Sequence, residues 1–382
     1  MQRRVLGRTG LEVSILGAGG FHLLEISDAD AQAILHRYLD AGGNYIETAA
    51  EYGNGESERK VGLVMATRRD ECVLATKCHA REREAAAQVI ERSLVNLQTD
   101  HVDILLMHHI QSPDELDRIL SPDGALRAAE AARDAGKVRF IGLSNHGYPE
   151  VMMEALRRYP FDVIMTNFNY YDRFNFPLIE DELLPLASAP LHNVGIVGMK
   201  VVADGLLWQS AQQAFRYSWT LPIHVMVAGM NNLAMLEQDL AYAEDFTPMS
   251  QEEQEQWFFD APELGTYVCR QCDKCLPCPT AQGNLDIPRI FELEGWFDRQ
   301  IWDGVVRDPG DYWVRTALRF WYDNEERARA AYAELPVKAD ACTDCGECEA
   351  RCPYHLPIAD KLRRAHEKLT GGQALHPRWA WM

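Results

Sequence analysis

Val73-Leu-Ala-Thr-Lys77 and Val102-Asp-Ile-Leu-Leu-Met-His108 are two short apolar runs on either side of a segment with helical spacing, residues 84–97. Strand, helix and strand in that order are typical of a β/α unit whose two strands lie parallel in one sheet. Both runs end in a side chain that can carry charge, whereas a barrel interior is otherwise filled by branched apolar residues. The stretch therefore predicts one unit of a repeated β/α fold, with chemistry at the ends of its strands.

The same alternation continues from Arg4 to about Tyr242. A small hairpin is predicted over residues 4–14, and eight strands are predicted at residues 15–17, 45–48, 73–77, 102–108, 138–143, 163–167, 195–199 and 224–227. Helices are predicted at residues 28–40, 57–65, 84–97, 124–135, 149–157, 177–186, 207–217 and 233–243. This pattern predicts an α/β fold of the (β/α)8 TIM barrel type, with the active site where the strands end. An open doubly wound sheet is the alternative, but no G-x-G-x-x-G follows the first strand.

Two cysteine-rich stretches follow the barrel pattern. They read Cys269-Arg-Gln-Cys272-Asp-Lys-Cys275-Leu-Pro-Cys278-Pro279 and Cys342-Thr-Asp-Cys345-Gly-Glu-Cys348-Glu-Ala-Arg-Cys352-Pro353. Three cysteines at two-residue intervals, a fourth close behind and then proline are the bacterial ferredoxin spacing for a 4Fe-4S cluster. In two-cluster ferredoxins the fourth cysteine of each motif binds the other cluster. The spacing predicts one cluster on Cys269, Cys272, Cys275 and Cys352, and a second on Cys342, Cys345, Cys348 and Cys278.

Zinc and disulfide bonds are the alternatives for these cysteines. Structural zinc usually takes two separated C-x-x-C pairs, whereas each stretch here packs its four cysteines close together. Disulfides fit small secreted chains, and Glu12 interrupts the apolar run that an export signal would need after Arg3-Arg4. The first stretch has two residues rather than three before its last cysteine, Cys278. It therefore departs from the ferredoxin motif at the cysteine that is expected to bind the other cluster.

Charge and length narrow the partners. The 382 residues carry 38 Lys and Arg against 57 Asp and Glu, a net charge of -19, which opposes binding to nucleic acid or to an anionic membrane. No apolar run is long enough to span a bilayer. Small molecules and proteins are therefore the predicted partners, and thiolate-bound iron favours a cytoplasmic location.

We predict a barrel domain over residues 1–245 and a mainly helical domain over residues 246–382, which ends in a closing helix at residues 358–369. The second domain also contains an aromatic-rich stretch that includes Trp296, Trp302, Trp313, Phe320, Trp321 and Tyr322.

Four side chains at predicted strand ends are the candidates for catalysis: Glu47, Tyr52, Lys77 and His108. In these positions the chain resembles the aldo-keto reductase family. The stretches that carry the resemblance are Gly7-Arg-Thr-Gly-Leu-Glu-Val-Ser14, Glu47-Thr-Ala-Ala-Glu-Tyr-Gly-Asn-Gly-Glu-Ser-Glu58, Ala75-Thr-Lys77, Asp103-Ile-Leu-Leu-Met-His108 and Gly136-Lys-Val-Arg-Phe-Ile-Gly-Leu-Ser-Asn145. The cysteine-rich tail is similar to the iron-sulfur branch of that family.

The resemblance implies hydride transfer from a nicotinamide to a carbonyl, with Tyr52 as proton donor. A phenol has an ordinary pKa of about 10, so the resemblance gives Lys77 the role of the ammonium that makes it a usable acid. It implies that His108 orients the carbonyl oxygen, and that Glu47 stands where the family usually has aspartate. A simple buried ion pair of Lys77 and Glu47 is the alternative.

The resemblance also implies a nicotinamide site, although this chain departs from it. Ser144 and Asn145 match the carboxamide contacts, but Met165 replaces an expected glutamine, and Met199-Lys200 replaces the stacking aromatic. The phosphate loop falls on Gly229-Met-Asn231-Asn232; no Lys or Arg occurs from Tyr217 through Cys269, and Glu237 and Asp239 add negative charge. These departures predict NADH rather than NADPH if a nicotinamide binds. The predicted cofactor contacts are Ser144, Asn145, Met199, Lys200, Gly229 and Asn231.

Three functions remain open from the sequence. A hydride carries two electrons whereas each cluster exchanges one, so a flavin or a radical step would have to join a nicotinamide to the clusters. The first hypothesis is a redox enzyme whose clusters exchange electrons with a ferredoxin-like partner. The second is a carbonyl reductase in which the clusters only stabilise the tail. The third is an electron-transfer or regulatory protein with a degenerate barrel.

Overall fold

The computed structural model describes residues 1–146, 148–169, 178–202, 211–256, 269, 273–299, 325–352 and 356–371. The chain separates into two compact units. Described residues up to Met249 belong to the first unit, and those from Ser250 onward belong to the second.

A closed parallel barrel forms the first unit. The chain begins with an antiparallel hairpin of β1 (Arg3–Val5) and β2 (Glu12–Ser14). The barrel strands are β3 (Leu16–Gly19), β4 (Tyr45–Glu47), β5 (Val73–Cys78), β6 (Val102–Met107), β7 (Val138–Asn145), β8 (Val163–Asn167), β9 (Gly195–Met199) and β10 (Val225–Gly229). Each strand is parallel to the next, and β10 pairs with β3 to close the ring. The predicted hairpin and barrel are confirmed, with strand ends shifted by a residue or two, and the doubly wound alternative is wrong.

Helices connect the barrel strands. Those described in the first unit are Asp28–Asp40, Glu56–Arg68, Arg83–Asn96, Pro113–Leu120, Ala125–Asp134, Pro149–Arg158, Leu184–Ser188, Ala211–Thr220 and Leu233–Glu244, with a π-helical turn at Ile179–Leu183. Helix Pro113–Leu120 was not predicted, although Ser112 accepts a bond from the backbone N–H of Glu115 and proline follows it, which is a helix-start signal. The predicted helices at 177–186 and 207–217 begin at residues outside the described ranges.

The hairpin fills the end of the barrel from which the strands start. Leu6 and Val13 are fully buried and share one core with Tyr45, Val73 and other residues near the strand beginnings. Arg4 reinforces this closure, because its Nη2 donates to the carbonyl oxygen of Trp219 at 2.6 Å. The opposite end, where the strands finish, is left to the loops that carry the predicted site.

The second unit is mainly helical where it is described. Its helices are Ile287–Arg299, Glu325–Glu334, Glu347–Arg351 and Ile358–Thr370, and a short hairpin pairs Pro279–Thr280 with Gly283–Asn284. The predicted closing helix is therefore confirmed. Glu294 lies buried between Lys361 and Lys368, which joins the first and last of these helices. Trp302, Trp313, Phe320, Trp321 and Tyr322 lie outside the described residues, as does the side chain of Trp296. Within the described ranges, no helix has the length and apolarity needed to cross a membrane.

Candidate active site

Lys77 brings three of the four predicted catalytic residues together. It lies in β5, and its Nζ donates to the hydroxyl oxygen of Tyr52 and to the carbonyl oxygen of Thr48, each at 2.9 Å. Its third partner is the carboxylate of Glu47, at the end of β4. His108 follows β6, and its ring meets the Tyr52 ring edge to face with centroids 5.7 Å apart. The extra methylene of Glu47, compared with aspartate, does not prevent the expected pairing with Lys77.

A tight turn after β4 places Tyr52. The backbone N–H of Tyr52 donates to Ala49 at 3.1 Å, and the turn continues through Gly53, Asn54 and Gly55. All three have positive φ, at 58°, 52° and 93°. Glycine and asparagine tolerate this left-handed region better than other residues. The sequence Gly-Asn-Gly thus turns the chain from β4 into the helix Glu56–Arg68 and leaves the phenol beside Lys77.

Burial and charge act against each other at this centre. Burial raises the pKa of Tyr52 to about 12, although Lys77 acts in the opposite direction. Burial alone would lower the pKa of Lys77, but Glu47 and Tyr52 raise it above its ordinary value. Burial also raises the pKa of Glu47, and Lys77 offsets only part of this. The expectation that Lys77 makes Tyr52 a stronger acid therefore holds in direction, but burial outweighs it, and the phenol keeps its proton at neutral pH.

Glu51 is a neighbour of the site that the sequence did not single out. Its Oε2 lies 3.2 Å from Nδ1 of His108. Contact with His108 holds the pKa of Glu51 below its ordinary value, and the nearby His79 and His109 act in the same direction. Burial lowers the pKa of His108 to about 4 against the pull of Glu51. His108 is therefore a neutral imidazole beside a carboxylate at neutral pH.

The residues predicted to hold the nicotinamide already bond within the protein. Ser144 Oγ accepts from the backbone N–H of His109 at 3.0 Å, and Asn145 Nδ2 donates to the carbonyl of Tyr148 at 2.6 Å. Met165 and Met199 are buried in the apolar core of the barrel. Lys200, with φ of 64°, accepts at its carbonyl from Asn169 at 2.9 Å. The Ser144 hydroxyl proton is not used in its bond to His109.

The predicted phosphate loop after β10 contacts the turn after β3, Phe21–Glu25. Asn231 Nδ2 donates to Glu25 Oε2 at 2.7 Å, and the other oxygen of Glu25 lies 2.6 Å from Nδ1 of His22. The His22 ring lies against Gly229, where an added Cβ would come within 2.0 Å of Cδ2. A carboxylate therefore lies at the loop that the prediction assigns to phosphate.

The negative charges predicted near this loop do not act as expected. Glu237 is paired with Arg37, whose Nε and Nη2 donate to its two oxygens at 2.6 and 2.8 Å. Asp239 is buried, which raises its pKa to about 8 and keeps it largely protonated at neutral pH. The prediction was wrong for these two residues, because the position of Arg37 beside Glu237 and the burial of Asp239 depend on how the helices pack. Glu25 supplies the charge instead.

Comparison with known proteins fits this architecture. The sequence profile of the Aldo/keto reductase family matches residues 15–256, which is most of the first unit and more than half of the chain. The chain belongs to the aldo/keto reductase family. Among its relatives in that family, L-galactose dehydrogenase of Arabidopsis thaliana is 31% identical over 224 residues, which are 54% of this chain and 67% of that protein.

Further relatives agree with this assignment. D-threo-aldose 1-dehydrogenase of a Pseudomonas species is 30% identical over 240 residues, which cover 53% of this chain and 69% of that protein. The holo form of aldo-keto reductase AKR11C1 from Bacillus halodurans superposes with a TM-score of 0.59 at 26% identity. That similarity covers 67% of this chain and 94% of the solved chain. This aldo/keto reductase is thus an oxidoreductase by family, with sugar dehydrogenases among its relatives.

The cysteines of the two cysteine-rich stretches lie in the second unit of this aldo/keto reductase, where the structure describes them. Cys275, Cys348 and Cys352 are buried in its apolar core, against which Cys269, Cys278 and Cys342 pack. Cys278 of the first stretch is in electrostatic range of Cys342 and Cys345 of the second. Cys345 is exposed, and Cys272 lies outside the described residues.

Two further observations bear on the alternatives for the cysteines. Cys278, Cys342, Cys345, Cys348 and Cys352 are thiols, without disulfide bonds. Across the described part of the chain, no three or more His, Cys, Asp or Glu side chains converge as ligands of a single metal ion. Arg351 ties the two stretches together, because its Nη2 donates to the carbonyls of Cys275 and Pro277 at 2.6 and 2.8 Å.

Proposed function

We propose that this protein is an aldo-keto-reductase-type oxidoreductase that acts on the carbonyl or alcohol group of a small molecule, with Tyr52, Lys77, His108 and Glu47 as its catalytic residues. The observation that carries the proposal is the bond from Lys77 Nζ to the oxygen of Tyr52 at 2.9 Å. Because the ammonium donates this bond, the phenol keeps its own proton for a substrate oxygen. Among the described residues, no side chain or carbonyl accepts that proton.

The roles follow from charge and burial. In the reducing direction, Tyr52 gives its proton to the carbonyl oxygen as a hydride adds to the carbonyl carbon. Lys77 stabilises the phenolate that is left, and Glu47 keeps the buried ammonium from standing unpaired. Burial makes these charges interact more strongly than they would in water, because the effective dielectric constant is lower.

NADH is the proposed hydride source, ahead of NADPH. When bound, a nicotinamide supplies the hydride, and Ser144 and Asn145 stand where its carboxamide is expected. The phosphate end fits less well, because Glu25 would face phosphate oxygens at Asn231. A 2'-phosphate would need a basic partner, and Arg37 is already paired with Glu237.

Two 4Fe-4S clusters are proposed in the second unit, on the cysteines given above. The proximity of Cys278 to Cys342 and Cys345 supports the crossing of the fourth ligand between motifs. The first three cysteines of each stretch keep the ferredoxin spacing, and cysteines of both stretches lie in or against one apolar core.

The proposed carbonyl chemistry and the proposed clusters together suggest how the chain is organised. We place the barrel domain at residues 1–245 and the iron-sulfur domain at residues 246–382, in a cytoplasmic protein. The clusters would exchange single electrons with a ferredoxin-like partner, and a flavin is the class of carrier that could join them to a two-electron step. The alternative, an electron-transfer or regulatory protein with a degenerate barrel, is favoured by one observation: Glu25, which is bonded to His22, accepts a hydrogen bond from Asn231 of the predicted phosphate loop.

Tyr52→Phe tests the proposed activity. We expect reduction of glyceraldehyde by NADH, measured anaerobically from loss of nicotinamide absorbance, to fall at least about a hundredfold, because a positioned acid contributes on the order of that factor. Tyr159→Phe is the matched control, since its hydroxyl bonds to Glu130 at 3.1 Å away from the site. Equal rates in Tyr52→Phe and wild type would favour the degenerate barrel.

A further inference from the structure

Glu51 is a charged side chain beside the proposed proton donor. It directly precedes Tyr52, and its Oε2 lies 3.2 Å from Nδ1 of His108. Its side chain is 48% exposed, whereas that of His108 is 8% exposed. Contact with His108 holds the pKa of Glu51 below its ordinary value, so the carboxylate is ionised at neutral pH. A negative charge that solvent and ligands can reach therefore stands next to the phenol.

Among the described residues, no cation neutralises this charge. Glu51 forms no ion pair with a lysine or an arginine of the described ranges. Burial lowers the pKa of His108 to about 4, so the imidazole is uncharged at neutral pH. Lys77, the buried ammonium beneath Tyr52, is paired with Glu47. The charge of Glu51 is thus left for a ligand to compensate.

Two other cations lie where the strands finish, and both act elsewhere. Arg81 lies 3.5 Å from a carboxylate oxygen of Glu115. Lys200 is in electrostatic range of His146, whose pKa it helps to lower. Neither forms an ion pair with Glu51. The position next to the phenol is therefore negative, although cations occur nearby.

Aromatic rings lie against the phenol that Glu51 adjoins. The Phe21 ring, which is partly exposed in the turn after β3, meets the Tyr52 ring at 5.1 Å between centroids. The His108 ring meets it at 5.7 Å. Aromatic faces attract cations and serve to recognise quaternary ammonium groups. A carboxylate among such rings favours a positively charged ligand and opposes an anionic one.

We propose that Glu51 determines specificity by binding a cationic nitrogen of the substrate, so that the substrates are aldehydes or ketones with an ammonium group on the carbon next to the carbonyl. The inference rests on the proposed function and narrows its substrate class, and His108 keeps the role of orienting the carbonyl oxygen. The carbonyl carbon gains a hydride from the nicotinamide, and its oxygen gains the Tyr52 proton, which solvent replaces. The charged nitrogen is unchanged, and the product is an amino alcohol.

Steady-state kinetics with matched aldehydes test the proposal. Betaine aldehyde carries a trimethylammonium group next to its carbonyl, and 3,3-dimethylbutanal has the same shape without the charge. The ratio of their kcat/KM values therefore reports the charge, and the hydration of each aldehyde cancels when variants are compared. With NADH and anaerobic full-length protein, we expect Glu51→Gln to lower this ratio at least about fivefold, because unit charges at close range attract by that factor even in water. Glu51→Asp, which keeps the charge, should retain most of the ratio.

An anionic probe and a control variant separate charge from structure. Glyoxylate carries a carboxylate next to its carbonyl, so its kcat/KM relative to 3,3-dimethylbutanal should rise in Glu51→Gln. General damage to the site would not move the cationic and anionic probes in opposite directions. Glu12→Gln, exposed in β2 at the opposite end of the barrel, should leave both ratios as in wild type. Unchanged ratios in Glu51→Gln, or ratios that fall together, contradict the proposal.

Ligand binding without turnover is the second arm of the test. Choline and 3,3-dimethylbutan-1-ol are the alcohols that the cationic and the neutral aldehyde yield on reduction. Calorimetric titration of each into the full-length protein, with and without NADH, measures affinity alone. We expect choline to lose at least about fivefold in affinity relative to the neutral alcohol in Glu51→Gln, and equal losses or no loss would overturn the proposal. If wild type reduces none of the three aldehydes, the proposed function fails, while the titrations still decide whether Glu51 binds the cation.

Discussion

Asp239 is a buried carboxyl whose ionisation opposes folding. Burial raises its pKa to about 8 in the folded chain, above the value of about 3.9 expected when unfolded. The folded form therefore keeps a proton that the unfolded form releases, so the free energy of unfolding falls as pH rises between these two values. The loss of stability is complete above the folded pKa of about 8, and there is no loss below the unfolded pKa of about 3.9.

Asp239→Asn should remove this loss. We expect the variant to gain stability over wild type on the order of 1 kcal/mol for each pH unit across that window. Urea unfolding at pH 5 and pH 8 measures the difference. Asp245→Asn is the control, because Asp245 is exposed just beyond the same helix. Parallel pH dependence in wild type and Asp239→Asn would show that Asp239 does not titrate as described.

The pair of Glu237 with Arg37 bears on the proposed preference for NADH. Arg37, in the helix Asp28–Asp40, donates two hydrogen bonds to Glu237 in the helix Leu233–Glu244, so its guanidinium is already engaged. Glu237→Gln should free Arg37 to meet a 2'-phosphate, and we expect NADPH affinity to rise on the order of fivefold relative to NADH. Fluorescence titration with both nucleotides measures this. A fall in both affinities alike would instead point to a structural effect of the pair.

At the scale of elements, the turn Phe21–Glu25 links β3 to the loop after β10. Lys60 fixes the turn from the helix Glu56–Arg68, because its Nζ donates to the carbonyls of Leu23 and Ile26 at 3.0 and 2.6 Å. The far end of the turn carries Glu25 to Asn231. This element therefore controls the charge that a bound diphosphate would meet.

Glu25→Gln tests that control. The amide keeps the size of the side chain and can still bond to His22 or Asn231, but it removes one like charge from the phosphate loop. We expect NADH to bind at least about fivefold more tightly, since one like charge at close range costs about 1 kcal/mol even in water and Glu25 is buried. Nucleotide fluorescence titration measures it, with the exposed Glu12→Gln in β2 as control. Unchanged binding would mean that the diphosphate lies elsewhere.

The elements themselves were largely predictable. Each barrel strand is a short apolar run whose side chains face the interior or the helices. Its position can therefore be predicted from the local sequence without knowledge of the fold. Pro113–Leu120 was missed because two helices follow β6 where the pattern predicts one. The capping signal of Ser112 and Pro113 was present but was not used.

At the scale of the whole molecule, cysteines that are distant along the chain lie in or against one apolar core of the second unit. If Cys278 crosses to the cluster of Cys342, Cys345 and Cys348, then Cys278→Ser, Cys345→Ser and their double variant should lose the same cluster. We expect each to fall from about eight iron atoms to about four. Iron and sulfide analysis with EPR on anaerobic protein measures this, and Cys72→Ala in the barrel is the control. A double variant without iron would contradict the crossing.

The sequence by itself determined the barrel, the order of its elements, and the strand ends at which Glu47, Lys77 and His108 stand. The barrel and the order of its elements follow from local periodicity. The strand ends lie together because parallel strands finish at the same edge of a sheet, and neither inference requires knowing any tertiary contact. The tertiary structure decided which polar groups meet: Glu51 with His108, Glu25 with Asn231, and Arg37 with Glu237. Such pairs depend on loop conformation and helix placement, and burial, as at Asp239, depends on everything packed around a residue.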